Sequence, residues 1–391
     1  MKSFQTFKKV VAQFTVSADG KYVFEFSKLA QRVGKYGWPA HLMMLTLVFS
    51  ATPTTTAIPT QVELNKGAMK RVEINDGRQS RLIANGPQLR DFERMEHGAM
   101  YNADGHNIAA TSGRPRFFAR NLHFGIPGFQ GNPSDFAMPC AAMKAGSLII
   151  DGGALTDWAS DCTAITGTLW VVAHYIAYGP DEIRIPPFVE RKVVNVVSGS
   201  QIPGRAIYTH VGLNASAANA AWSVGDLGNI SFDCGGYYVV DSMPAHVLGR
   251  CFHGEMKRGI VGGMVHEPAD ADDDVNQRDI DRTAATATKN VSNDLQPVLW
   301  TPEGARISKL AAVVDATAQI TLTGSKTSTN PLLFTRIVPQ SDETISRIAA
   351  EAAQELGMAS RFKGAMPKTL SKKPYKGDFL QYMPWSAKFA A

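Results

Sequence analysis

The chain has 391 residues, 44% of them apolar and 19% charged, with 40 Lys+Arg against 35 Asp+Glu and four Cys. That length suits two domains or one large β unit burying roughly three quarters of its unfolded surface, which excludes a disordered tail and a disulfide-stapled miniprotein. The charged fraction lies below the roughly 25% of an average soluble chain, so more of the surface than usual is left for core, uncharged loops or contact area.

The net charge of +5 is unevenly spread. Residues 1–38 carry +5 and residues 361–391 carry +6, and subtracting both from the total leaves −6 over residues 39–360. An acidic body with two basic ends is an interaction pattern rather than a fold signal. Both ends also carry aromatics: Phe4, Phe7 and Phe14 at one, Phe362, Tyr375, Phe379 and Tyr382 at the other. One such end reads equally well as a solvated tail; two point to a shared anionic neighbour.

In chain order, Phe4, Phe7, Val11 and Phe14 recur at spacings of three, four and three around Lys8 and Lys9. This predicts a short amphipathic basic helix over Ser3–Phe14, the alternative being a strand of a hairpin turning at Ala18-Asp19-Gly20. The apolar run Leu42–Phe49 is too short to span a bilayer and reads as a buried strand rather than the core of a long signal peptide. Thr/Pro-rich residues 51–60 form an extended lead-in. Strands are then expected at Gln61–Leu64, Met69–Ile74 (before Asn75-Asp76-Gly77) and Ser147–Ile150, and over Thr168–Tyr178, which is apolar on both faces and should be covered on both.

A second batch of strands is expected at Lys192–Val197, Ala206–Val211, Asn229–Phe232, Tyr237–Val240, Gly259–Val265, Ala311–Val314, Gln319–Thr323 and Leu332–Val338, with Gly199–Gly204 as a joint. Asp104–Asn132 and residues 267–296 read as long loops. One helix is clear: Ser341 caps it, Asp342 and Glu343 suit its first turn, Ile345, Ile348, Ala349, Ala352 and Leu356 line one face, and Gly357 stops it. The fold class is therefore mainly β, two sandwiches in series, organised as a basic N-terminal arm (1–53), a first sandwich (54–198), a second (199–340) and a C-terminal helix with a basic tail (341–391).

The chain contains no GxGxxG, P-loop, GxSxG, HExxH or deaminase PCxxC pattern. His246, Cys251, His253 and Glu255 cluster without the spacing of a metal family, and Asp270, Asp272, Asp274 and Asp281 imitate a calcium loop that has Val275 where glycine belongs. Both read as ordinary loop residues, and no cofactor or metal is expected. Cys140, Cys162, Cys234 and Cys251 have no paired spacing and read as buried thiols in a reducing compartment. The sequons at Asn214, Asn229 and Asn290 carry no weight without secretion.

Three segments carry a family likeness: Thr54–Ile74 (TTTAIPTQVELNKGAMKRVEI), Asp161–Val197 (DCTAITGTLWVVAHYIAYGPDEIRIPPFVERKVVNVV), and Pro297–Val338, from PVLWTPEGARISKL to LLFTRIVP. In these the chain resembles the double jelly-roll major capsid proteins of tailless, icosahedral, membrane-containing bacteriophages; residues 341–391 have no counterpart in the likeness. The resemblance implies jelly rolls for the two sandwiches and a non-enzymatic virion protein assembled in host cytoplasm. It further implies homotrimers of pseudo-hexagonal outline that tile a shell, with other virion proteins at the vertices. Lys2, Phe4, Phe7, Lys8 and Lys9, with Lys372, Lys373 and Lys376, are expected to face an anionic membrane or the genome. The rival readings are a secreted carbohydrate-binding or adhesive sandwich and a metal-dependent jelly-roll enzyme using His246, His253 and Glu255.

Overall fold

The computed structural model describes residues 5–56, 59, 61–97, 115–125, 137–179, 182–186, 188–204, 206–214, 227–236, 238–245, 247–248, 295–300, 312–314, 317–324, 330–338 and 340–357. Among them, β1 (Gln5–Thr15), β11 (Ala164–Ala177), β5 (His41–Thr54) and β8 (Arg116–His123) pair in that order into one antiparallel sheet, which β9 (Met138–Pro139) joins through β5. A longer sheet runs β17 (Leu295–Trp300), β14 (Ala206–Asn214), β20 (Asn330–Val338), β12 (Phe188–Val196), β7 (Ser80–Ala84), β6 (Arg71–Asn75), β10 (Ser147–Asp151), β2 (Lys21–Glu25). A third comprises β13 (Gln201–Pro203), β19 (Thr317–Leu322), β15 (Asn229–Asp233) and β16 (Tyr238–Pro244).

The long sheet is shared. Its β2 to β7 half faces the five-stranded sheet across a core built from Phe24, Val72, Ile74, Leu82, Leu148 and Ile150 on one side and Leu45, Leu47, Phe49, Leu169 and Val171 on the other. Its β12 to β17 half faces the third sheet across a second core containing Tyr208, Val211, Phe334, Phe232 and Ile320. The halves meet where β7 and β12 pair in parallel, Leu82 opposite Arg191 and Ile83 opposite Lys192. Side chains alternate across a strand, so β20 serves both halves: Leu332 and Phe334 enter the second core while Leu333 enters the first.

Several sequence expectations change at this level. The segment Ser3–Phe14 is not a helix; from Gln5 it is the edge strand β1. Phe7 and Phe14 are seven residues apart and would lie on opposite faces of a regular strand. A bulge between Val10 and Ala12 adds one residue and returns both to the inner face, where they oppose Tyr175 and Leu169. The helical spacing of the aromatics is thus the signature of a bulged strand. The turn at Asp19, which has a positive φ of 51°, carries the chain into β2 in the other sheet instead of closing a hairpin. Residues 5–53, expected from sequence to belong to a basic arm, carry β1, β2 and all but the last residue of β5, strands of the first sandwich.

Gln61–Leu64 belongs to α1 (Gln61–Ala68), not to a strand, because Leu64 and Ala68, four apart, bury one helical face. Arg116–His123, inside an expected loop, alternates buried and more exposed residues and pairs with β5 as β8. β12 already pairs with β20, so the passage between halves precedes the expected joint at Gly199–Gly204. The strand expected at Gly259–Val265 lies outside the described residues.

Other expectations hold. Leu42–Phe49 lies in β5. At Asn75-Asp76-Gly77, Asn75 Oδ1 accepts from Gly77 N at 2.8 Å, Asp76 Oδ1 accepts from Arg78 N and Gln79 N at 3.0 Å each, and Gly77 takes φ 92°. The C-terminal helix, α4 (Asp342–Glu355), is capped by Ser341 Oγ accepting from Thr344 N at 3.2 Å and ends at Gly357 with φ 68°. Its buried face, Ile345, Ile348, Ala349, Ala352 and Leu356, packs on Ala141, Ala142, Ile183 and Ile185. The helix that follows the last strand of the second sandwich therefore returns to clasp the first. Arg78–Glu351 and Lys144–Glu355 pair across that contact.

Candidate interaction surfaces

Of the expected contact residues, Phe7, Lys8 and Lys9 lie on β1, all three exposed at the edge of the five-stranded sheet. Lys2, Phe4, Lys372, Lys373 and Lys376 lie outside the described residues, as do His246, Cys251, His253, Glu255 and the acidic stretch Asp270–Asp281. Among the described residues, no group of three or more His, Cys, Asp or Glu side chains is placed to hold a metal, and no helix is long and apolar enough to cross a membrane. Cys140, Cys162 and Cys234 are buried, and burial pushes the Cys140 pKa up.

The outer face of the five-stranded sheet is the first surface of note. Val10 opposes Val172, Trp170 opposes Val48, and Ser50 opposes Phe117, all pointing away from the core. Val10 and Phe117 are each 53% exposed, and Trp170, Val172 and Val48 are half-buried. Coverage of β11 on both faces holds only toward its end, where Ile176 is buried with Ala137 and Tyr178. Thr46 sits within this face, donating to Asn121 Oδ1 at 2.8 Å with His174 Nε2 at 2.9 Å. Partial burial, with Lys8 adding to it, lowers the His174 pKa. Exposed apolar side chains on a sheet face make it a candidate contact surface.

A second surface gathers at one end of the first sandwich. Arg32 and Lys35, part of the positive charge of residues 1–38, lie on a small hairpin, β3 (Arg32–Val33) and β4 (Trp38–Pro39). Its turn is flanked by Gly34 at φ 76° and Gly37 at φ 61°, conformations that side chains disfavour. Tyr36 projects with 64% exposure and stacks on Trp38 at 5.6 Å between ring centroids, while Lys35 Nζ lies 5.9 Å from the Tyr36 ring centre. Val33 anchors the hairpin in the first core. The spacing Gly-Lys-Tyr-Gly-Trp was the available signal, a two-residue tip between glycines carrying a cation and an aromatic.

Other segments converge there. A Cβ on Gly34 would overlap Gln5 Oε1, so the start of β1 abuts the turn. Phe7, 45% exposed, stacks with Tyr175 at 6.5 Å, and the Tyr175 hydroxyl accepts from Ala30 N at 3.2 Å just before the hairpin. Arg32 donates to Gly37 O at 2.9 Å and to Leu356 O at 2.7 Å, joining the hairpin to the C-terminal end of α4. Its charge there complements the helix dipole.

The joint between the sandwiches is the third feature. Helix α2 (Gly86–His97) brings Glu96 against Arg191 of β12, whose Nε and Nη2 donate to the carboxylate at 2.6 and 2.8 Å. Arg191 also donates to His123 O and Gly125 O, and Thr335 Oγ1 of β20 donates to Glu96 Oε1 at 2.6 Å. Burial by itself would raise the Glu96 pKa; Arg191, His210 and Thr335 overcome that and hold it at about 2. This fully satisfied pair is a lock rather than a reactive group.

No protein-family model matches the chain, and no curated protein matches it in sequence. Solved structures do match in fold. The atomic structure of Sulfolobus Turreted Icosahedral Virus aligns over 91% of this chain and 98% of its own, with TM-score 0.55 and 10% identity. The crystal structure of that virus's major capsid protein aligns over 87% of this chain and 98% of its own, with TM-score 0.53 and 9% identity. The major capsid protein P2 from bacteriophage PM2 aligns over 84% and 98%, with TM-score 0.46 and 10% identity. Two sandwiches sharing one long sheet, matched over nearly the whole length of both chains, give this protein the double jelly-roll fold of viral major capsid proteins.

Proposed function

We propose that the chain is a major capsid protein: a structural virion subunit that self-associates into trimers and, through them, into an icosahedral shell. The observation that carries this reading is the match of fold over 91% of this chain and 98% of the viral chain. Two sandwiches per chain let three copies present six similar blocks, the outline a hexagonal lattice needs. The blocks are the strands drawn from residues 5–177 and those drawn from 188–338. This role requires no cofactor and no catalysis.

The outer face of the five-stranded sheet supplies apolar area for a second copy of the chain, consistent with the low overall charge. Lys2, Phe4, Phe7, Lys8 and Lys9, with Lys372, Lys373 and Lys376, face the enclosed anionic layer, lipid or genome, and other virion proteins meet the shell at its vertices. Assembly in a reducing host cytoplasm accords with the buried thiols of Cys140 and Cys162. Negative-stain images of the purified full chain test the proposal. Particles with a pseudo-sixfold outline are expected; a uniform field of single-chain particles would contradict it.

A further inference from the structure

We infer that the hairpin Arg32–Pro39 is a docking element for an anionic phospholipid surface. The inference rests on the shell reading above and names the partner of its basic end. It begins from convergence. The start of β1, the hairpin tip and the end of α4 meet at one end of the first sandwich, through Gln5 against Gly34 and Arg32 to Leu356 O. The chain therefore enters and leaves its described part at the same place. Residues 358–391, which carry +6, continue directly from Gly357, and residues 1–4 precede Gln5.

The chemistry of the tip favours lipid over nucleic acid. A base-binding platform needs free aromatic faces. Here the Tyr36 and Trp38 rings stack on each other, and Lys35 lies over Tyr36. What the pair offers instead is an amphipathic edge with an adjacent cation, the composition that settles at a membrane–water interface. Exposed Phe7 extends the apolar area beside it, and Lys9, on the same face of β1 as Gln5 and Phe7, extends the charge. The backbone is also suited: Gly37 N donates to Gly34 O at 3.2 Å, closing the turn, so the tip can enter the headgroup layer without stranding that polar group.

The test uses the full chain in flotation with vesicles of phosphatidylcholine alone and of phosphatidylcholine containing about one third phosphatidylglycerol, and in parallel with duplex and single-stranded DNA. Binding to the anionic vesicles only, weakened by added salt, is expected. Lys35→Glu/Tyr36→Ser should reduce that binding by about ten-fold, from reversing one charge and removing one interfacial ring. Both positions are exposed, and an unchanged oligomeric mass shows that the variant is folded; Lys35→Glu alone serves as the milder second variant. Vesicle binding equal to wild type in folded variants, or DNA binding without vesicle binding, overturns the inference. Its failure is separable from failure of the shell reading, since a trimer that ignores vesicles rejects only the hairpin's role, whereas a monomer rejects the shell.

Discussion

Glu96 and Arg191 illustrate how much rests on single residues at the joint. The pair is buried, and removing the carboxylate leaves a guanidinium and the Thr335 hydroxyl without their partner. Glu96→Ala is expected to cost about 3–5 kcal/mol in urea unfolding, whereas replacing both members with apolar residues of similar volume should cost far less. Acid should act in two stages. Burial, opposed by a backbone bond to Pro39 and aided by Arg184, depresses the His41 pKa to about 4, and His41 Nε2 accepts from Arg184 N at 2.9 Å as a neutral ring. A histidine depressed below its ordinary 6.5 contributes stability that is complete above pH 6.5 and is lost as pH falls toward 4, on the order of 3 kcal/mol. Glu96, held at about 2 against an ordinary 4.5, contributes stability present above pH 4.5 and lost as pH falls toward 2. Melting temperature followed from pH 7 to 3 should therefore decline first below 6.5 and more steeply below 4.5. His41→Gln, which keeps an acceptor for Arg184 N, should flatten the first stage; an unchanged acid limb would refute the assignment to His41.

The elements carry predictions of their own. Ser341→Ala removes the side-chain cap of α4, whose Oγ accepts from Thr344 N, and should cost about 1 kcal/mol. Ala352→Asp places a charge at a fully buried position against Ala141, Ala142 and Ile183, and should release the helix, read as new early cleavage near residues 341–357 in limited proteolysis. On the outer sheet face, Phe117→Asp should weaken the proposed self-association while leaving the unfolding free energy of the single chain within about 0.5 kcal/mol of wild type, because the ring is half exposed in the single chain. Legibility varied among these elements for physical reasons. Helix α4 was readable end to end because cap, amphipathic face and stop glycine are local signals. The strand β1 was misread because a bulge changes the period that separates strand from helix, and α1 because its helical face closes only on packing against α3 (Leu155–Trp158) and α2, which lie elsewhere in the chain. The hairpin at Arg32–Pro39 was visible only as charge, since what makes it a surface is its approach to Gln5 and Leu356, residues distant in the chain.

At the scale of the molecule, the defining feature is a sheet that belongs to both sandwiches. Leu333 and its neighbours Leu332 and Phe334 commit one strand to two cores, and α2 locks the crossing through Glu96. Serial β-sandwiches were legible from alternation and turn residues, which are local. The shared sheet was not, because parallel pairing of β7 with β12 joins residues more than a hundred positions apart and leaves no trace in either strand's own pattern. The low charge of the body, noted first in the composition, is matched by the half-exposed apolar face of Val10, Trp170, Val48 and Phe117. That face is the one the proposed self-association would cover. Light scattering on the full chain as it leaves a size-exclusion column, at micromolar concentration, tests the central claim most directly. A mass three times that of one chain, or a larger multiple of it, is the predicted result; a single-chain mass at that concentration would contradict the account.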